Sequence, residues 1–256
     1  MRIYTRVTEA VREVERDLWE MGIDVHPQTM QDKAVADDEG FATKELQAYG
    51  FKIADYEWSE DMEREVIDYV FRATNPSYQE AVHNYVKQEF ADRVAMDASN
   101  PGNAYLHRDE LWNQFMDARG MFHYTYSERI NPQLAGVIKE LRTRRESRQG
   151  IINIHSNIWP QRSERAQLSA DWAHKGGVGR VPCSLHYQAM IRKGSLDFIY
   201  SMRSCDFLTH FAVDILLALR MQHYIAHYTE TQVGTFTYFT GSLHAYQKDM
   251  KDRGVF

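Results

Sequence analysis

Val7, Ala10, Val11, Val14, Leu18 and Met21 recur at helical spacing among charged residues, which predicts an amphipathic surface helix stopped at Gly22. A polar stretch to about Phe41 reads as a loop, and "ELQAYGFKIADYEW" has the aromatic and β-branched content of a strand. Helical spacing returns from about Met62 to Phe71 and from Tyr78 to Met96, with the turn sequence "ATNPS" between them. "RDELWNQFMDA" predicts a shorter helix. "PQLAGVIKELRTRR" predicts another from Pro132 to about Arg145, with proline in its first turn and arginines at its end. "GIINIHS" reads as a strand, and "VPCSLHYQAMI" and "SLDFIYSMR" as two more, joined at "RKG" into an antiparallel hairpin. "VDILLALRMQHYIAHYTE" is the most apolar helical pattern and is expected to be buried, and "VGTFTYFTGSLHAY" closes the chain as a strand broken near Gly241. Helices and strands mixed in this way predict one α+β domain over residues 1–256, with helices packed on a mixed or largely antiparallel sheet. A long polar loop, at about 156–180, interrupts it.

Composition narrows the function classes. The chain has 256 residues, 43% hydrophobic and 26% charged, with a formal charge of −6. That balance suits a globular domain with a substantial core and offers no global basic field for nucleic acid. Any phosphate must be held by a local arginine cluster. Two cysteines cannot form a disulfide scaffold, no apolar leader opens the chain, and the run "FAVDILLAL" is too short to span a bilayer. A reducing, cytoplasmic location is expected, without direct nucleic-acid or membrane binding, and no metal site is expected.

The cysteines carry the candidate chemistry. Cys183 follows a proline at the start of a strand, and the hairpin sets that strand beside the one bearing Arg203. An arginine near a thiol stabilises the thiolate and can also hold a phosphate. Around these residues the sequence resembles the thymidylate synthases and the related pyrimidine-nucleotide hydroxymethylases. "PCSLHYQ" is similar to the family's nucleophile segment, "MRSCD" to its phosphate-binding segment and "GSLHAY" to its ribose-binding segment, over residues from about 147 to 250. The resemblance implies a thymidylate synthase-like fold, a mixed sheet flanked by helices whose sheet face forms a dimer interface.

It also implies roles. Cys183 is the nucleophile, Arg203 and Ser204 hold the nucleotide phosphate, Asp206 orders the folate site, and His244 and Tyr246 contact the sugar. The thiolate would add to C6 of a pyrimidine and so activate C5 toward a one-carbon unit from methylenetetrahydrofolate. Cys205 is then core filler.

Asp214 stands where relatives acting on deoxyuridylate carry asparagine, which implies a cytosine base; a helix cap is the plainer role for the same residue. In the looser N-terminal half, "YVKQEF" resembles the segment of the catalytic glutamate and points to Glu89, and Trp112 would line the folate pocket. Tyr124 or Tyr126, in "FHYTYSE", is similar to the tyrosine that helps remove the C5 proton, and both stay open. Arg148 matches the first of two arginines that reach a partner's phosphate across a homodimer; Gln149 departs from the second, so Arg144, Arg145 or another group would be recruited. Two further departures are the loop inserted between Arg148 and Cys183, whose Trp159 and Trp172 are candidates to close over folate, and a C-terminus shorter than the family's.

The expected activity is C5-hydroxymethylation of dCMP, with CMP also open, of the kind that serves phages modifying their DNA and some nucleoside-antibiotic pathways. The alternatives are a thymidylate synthase methylating dUMP and a non-catalytic nucleotide-binding homologue.

Overall fold

The computed structural model of the chain describes residues 1–30, 33–35, 38–54, 56–155 and 181–252. A short strand, β1 (Arg2–Tyr4), leads into α1 (Val7–Met21), whose stripe of Val7, Ala10, Val11, Val14 and Leu18 is fully buried. Gly22 ends the helix in extended backbone, its N–H donating to the Leu18 carbonyl at 3.2 Å. The stretch expected as a loop instead holds three short strands, β2 (Ile23–Val25), β3 (Thr29–Met30) and β4 (Lys33–Ala34). β5 (Thr43–Ile53) follows as expected.

Side-chain caps set the next helices. α2 (Glu60–Val70) begins at Ser59, whose hydroxyl accepts from the Met62 N–H at 3.1 Å. α3 (Pro76–Val94) begins at Asn75, which accepts from the Tyr78 N–H at 2.8 Å, and Pro76 presets φ in its first turn. The helix expected at "RDELWNQFMDA" is only the single turn α4 (Asp109–Trp112) between two 3₁₀ turns. There Trp112 packs edge-on against Phe115 and Phe122, and these aromatic contacts bend the chain away from a regular helix. α5 (Tyr126–Thr143) starts earlier than Pro132 because Thr125 and Glu128 form a capping box: the Glu128 N–H donates to the Thr125 hydroxyl at 3.2 Å and the Thr125 N–H to the Glu128 carboxylate at 2.8 Å. Pro132 therefore lies inside the helix, where it removes one backbone donor.

The C-terminal half builds most of the sheet. β6 (Ile151–Asn153) pairs with β7 (Ser184–Arg192), and β7 turns through Lys193 and Gly194, both at positive φ, into β8 (Ser195–Asp206). Left-handed backbone at both turn positions is the two-residue hairpin geometry that matches strand twist. A π-helical turn, Phe207–Phe211, opens α6 (Ala212–Thr229), which is buried as expected. β9 (Gln232–Tyr246) and α7 (Gln247–Asp252) follow. Among the described residues the sheet has seven strands in the order β1-β5-β9-β8-β7-β6, with β2 also on β5. β1 runs parallel to β5 and β8 to β9, and the other pairs are antiparallel, so the expected mixed sheet is present.

One irregularity positions the site. The buried face of β9 passes from Phe236, Tyr238 and Thr240 to Leu243 and Ala245, switching parity at Gly241. β8 switches between Met202 and Cys205, and β5 between Leu46 and Phe51, around Ala48 at φ 50°. The pairing skips Ala48, Gly241 and Arg203 together, so the three offsets lie in one row across the sheet. A Cβ on Gly241 would sit 2.9 Å from the Arg203 carbonyl oxygen, so the row closes tightly only with glycine there.

Beneath the helices, Arg220 on α6 donates through Nε and Nη2 to the two carboxylate oxygens of fully buried Glu63 on α2, each at 2.6 Å, and Trp58 Nε1 adds a third bond at 2.9 Å. Arg220→Met strands the Glu63 charge and is expected to cost about 3–5 kcal/mol in denaturant unfolding, whereas Glu63→Leu combined with Arg220→Met costs less. Equal losses in the two proteins would show that the pair carries no such penalty.

Candidate active site

Cys183 stands partly exposed immediately before β7, tied by its carbonyl to the Arg203 backbone N–H at 2.8 Å. The Arg203 side chain folds back over it. Nε donates to the Pro182 carbonyl and Nη2 to the Val181 carbonyl, both at 2.9 Å, and Nη1 reaches Ser204 Oγ at 3.0 Å. Nη2 is also 3.7 Å and Ser204 Oγ 3.8 Å from Cys183 Sγ. A guanidinium and a hydroxyl thus both face one sulfur. Cys205 points to the other face, 1% exposed, and burial pushes its thiol well up. It is core filler, as expected.

Behind Cys205 lies Asp214, in the first turn of α6, with Cys205 Sγ 3.8 Å from its Oδ2. Burial raises this carboxyl to about 7, against the opposing pull of Arg93. Asp214 does not cap the helix. The helical run already begins at Phe207, and the capping side chain is Asp206, which accepts from the Leu208 N–H at 3.1 Å.

The offset row turns the ends of β5, β8 and β9 so that polar residues share a face. Asp206 pairs with His244 and His244 with Glu45, and one step away Ser204 pairs with Ser242 and Ser242 with Gln47. Ser242 Oγ donates to Glu45 at 2.9 Å and lies 3.4 Å from His244 Nδ1. Burial lowers His244, opposed by the charges of Asp206 and Glu45. Tyr246 stands edge-on to His244 at 5.8 Å, and burial pushes its phenol up to about 12.

Glu89, Trp112 and Tyr124 line one open cavity with Tyr85, Phe122 and Tyr126. Trp112 stacks on Tyr85 with ring centroids 6.1 Å apart and planes inclined 11°. Glu89 is held from one turn further along α3 by Arg93, whose Nε donates to its Oε1 at 2.8 Å. Burial still raises the carboxyl, with Arg93 opposing. Tyr126 connects this cavity to the cysteine. Ser184, next to Cys183, donates to its hydroxyl at 3.3 Å and lies 2.6 Å from the Tyr200 hydroxyl. Tyr124 sits edge-on to Tyr126 at 6.0 Å, with the Arg129 guanidinium 4.4 Å from its ring centroid.

The nucleophile cluster, the polar strand ends and the aromatic cavity thus adjoin. Arg148 stands apart. It is exposed before β6, and its carbonyl accepts from Gln188 at 3.1 Å. Gln149 is exposed beside it; Arg144 is paired with Glu140, and Arg145 donates to the Thr229 carbonyl at 2.7 Å. The inserted loop with Trp159 and Trp172 lies outside the described residues. Among those that are described, no group of three or more His, Cys, Asp or Glu is placed to hold a metal ion, and no helix is long and apolar enough to cross a membrane.

A mixed sheet with offset strands, carrying a cysteine under an arginine beside an aromatic cavity, has a counterpart among known proteins. The thymidylate synthase family model matches residues 39–253. The chain belongs to the thymidylate synthase family. The fold agrees: thermostable thymidylate synthase A from Bacillus subtilis superposes with a TM-score of 0.62 at 14% identity, over 98% of this chain and 84% of that one. The family match extends into the N-terminal half, where the motif resemblance is loosest, and so includes the segments of Glu89, Trp112 and Tyr124.

Sequence reading passed over Arg93, Ser184 and Glu45. Arg93 carries the one signal available, a cation four residues after Glu89 on a helix. Ser184 follows Cys183 in sequence, but its bonds to Tyr126 and Tyr200, like the pairing of Glu45 with His244, come from tertiary packing that no local spacing encodes.

The two thiols differ enough in exposure to be told apart chemically. Brief treatment with iodoacetamide is expected to label Cys183 and spare Cys205, read by peptide mass, with no labelling in Cys183→Ala. Labelling of Cys205 in the folded protein would contradict this.

Proposed function

We propose that this member of the thymidylate synthase family hydroxymethylates a cytosine nucleotide at C5, with dCMP as the substrate and methylenetetrahydrofolate as donor. The observation that carries the reading is Asp214, a buried carboxyl raised to about 7 behind the nucleophile strand. A neutral acid offers one O–H donor and one acceptor, which pair with N3 and the exocyclic amine of cytosine. As sulfur adds at C6, electrons move toward N3, and cytosine N3 is a far better proton acceptor than a uracil carbonyl oxygen. The Asp214 proton passes there, and the resulting carboxylate accepts from both N3–H and the amine.

The other residues serve the same adduct. Cys183 Sγ attacks C6, with Arg203 and Ser204 beside the sulfur and holding phosphate. His244 and Tyr246 hold the sugar, and Asp206 stands beside His244. The flat cavity of Trp112, Tyr85 and Phe122 fits a heteroaromatic ring, and these residues would hold the folate. When bound, the folate supplies a one-carbon unit at the oxidation level of formaldehyde. Glu89 holds the water that completes a hydroxymethyl group, and Tyr124 or Tyr126 helps remove the C5 proton. The sheet face away from the helices leaves Phe239 and Ile151 exposed, 40% and 39%, which supports a homodimer through that face with Arg148 directed to the partner.

Tritium release from C5-labelled dCMP, CMP and dUMP, with and without methylenetetrahydrofolate, tests the reaction. Folate-dependent release is expected from a cytosine nucleotide, at least 10³-fold slower in Cys183→Ala. Release from dUMP alone, with thymidylate and dihydrofolate as products, would overturn the cytosine reading, and binding without release would indicate a non-catalytic homologue.

The protonation of Asp214 gives a second test. The neutral acid is the pairing form, so dCMP affinity is expected to be level below pH 7 and to fall about tenfold per unit above it. Asp214→Asn is expected to flatten that profile and shift preference toward dUMP. A wild-type profile level from pH 6 to 9 would contradict the role.

A further inference from the structure

Arg93 is 2% exposed in the middle of the domain, where an unpaired guanidinium would be costly. Two of its nitrogens and its flat face are engaged. Nε donates to Glu89 at 2.8 Å, Nη1 to the Tyr187 hydroxyl at 3.1 Å, and the guanidinium carbon lies 4.5 Å from the centroid of the Tyr126 ring. Glu89 and Arg93 belong to α3, Tyr126 to α5, and Tyr187 to the strand that Cys183 immediately precedes. One cation therefore joins the acid of the cavity to both walls of the candidate active site.

From this geometry we infer that Arg93 is the positioning residue of the site: it fixes Glu89 in one rotamer, favours its charged form, and locks α3 and α5 against the strand of the nucleophile. The inference rests on the proposed role of Glu89.

The charge distribution supports the assignment. Asp92 on the same helix repels a charge on Glu89, and burial opposes it too; Arg93 is the cation that counters both. Asp214 feels Arg93 and Arg108 at longer range and makes no ion pair with either, so of the two carboxyls only Glu89 is bonded to a cation. Tyr85 and Tyr187 lie near Glu89 too, and burial holds both phenols neutral, so neither adds a competing negative charge. Two carboxyls set in different environments, one gripped by a cation and one not, suit the separate acid and base roles of general acid–base chemistry. An i, i+4 pair on an exposed helix is weak, but here Arg93 is buried and bonded on two sides.

The test reads Glu89 directly. Carboxyl infrared titration of the wild type, with the Glu89 band identified by its loss in Glu89→Gln, gives the midpoint of that group without turnover. In Arg93→Gln the midpoint is expected to rise by about two pH units, with C5 tritium release at least 10²-fold slower and nucleotide affinity within about threefold of wild type. Arg93→Lys keeps a cation but cannot grip Glu89 and Tyr187 together. It is expected to hold the midpoint within about half a unit while release still slows about tenfold, and this variant carries the test if Arg93→Gln does not fold. An unmoved midpoint in Arg93→Gln, or a fully active Arg93→Lys, would overturn the inference. Wild-type release by Glu89→Gln would instead remove Glu89 from the reaction, an outcome that leaves the titration to judge the hold of Arg93 by itself.

Discussion

Three strands of the sheet change face in a single row, and the site exists because they do so together. With the register of β5, β8 and β9 skipping Ala48, Arg203 and Gly241 side by side, the core continues unbroken behind the row while the polar residues beyond it turn to a common face. A single bulge would have broken the ladder and stranded its neighbours; three aligned bulges preserve the pairing on either side. The arrangement also puts the Arg203 backbone against Cys183, so this thiol and the cation above its sulfur are fixed by the same irregularity.

Two classes of environment result, and they divide the chemistry. The strand ends present hydroxyls, an imidazole and carboxylates in a polar row. The helical side presents an open cavity of aromatic rings with one largely buried ion pair. Tyr126 and Ser184 connect the two. Burial is also what separates the two cysteines, because one thiol sits beneath an arginine and the other beside a buried carboxyl.

Much of this was legible in the sequence where a local pattern encodes it. The α1 stripe, the two-residue hairpin and the apolar α6 follow from spacing and turn chemistry, and the juxtaposition of Cys183 with Arg203 follows from the hairpin. What escaped has physical causes. Pro132 suggested a helix start, but the Thr125–Glu128 capping box upstream satisfies the first-turn donors and moves the start back to Tyr126. "RDELWNQFMDA" has helical spacing, yet aromatic contacts between distant residues decide its path. Asp214 read as a possible cap because the π-helical turn before it leaves no local signal. Glu45 reaches the site only across the pairing of β5 with β9, and the parity switch at Gly241 showed in sequence only as a break.

The central claim is that Cys183 adds covalently to C6 of a cytosine nucleotide. A 5-fluorinated deoxycytidylate tests it most directly, since fluorine cannot leave as a proton does and the adduct should persist. Incubation with that analogue and methylenetetrahydrofolate, followed by intact and peptide mass measurement, is predicted to show one nucleotide equivalent on the peptide carrying Cys183. No adduct, an adduct on Cys205, or capture only with the 5-fluorinated deoxyuridylate would contradict it.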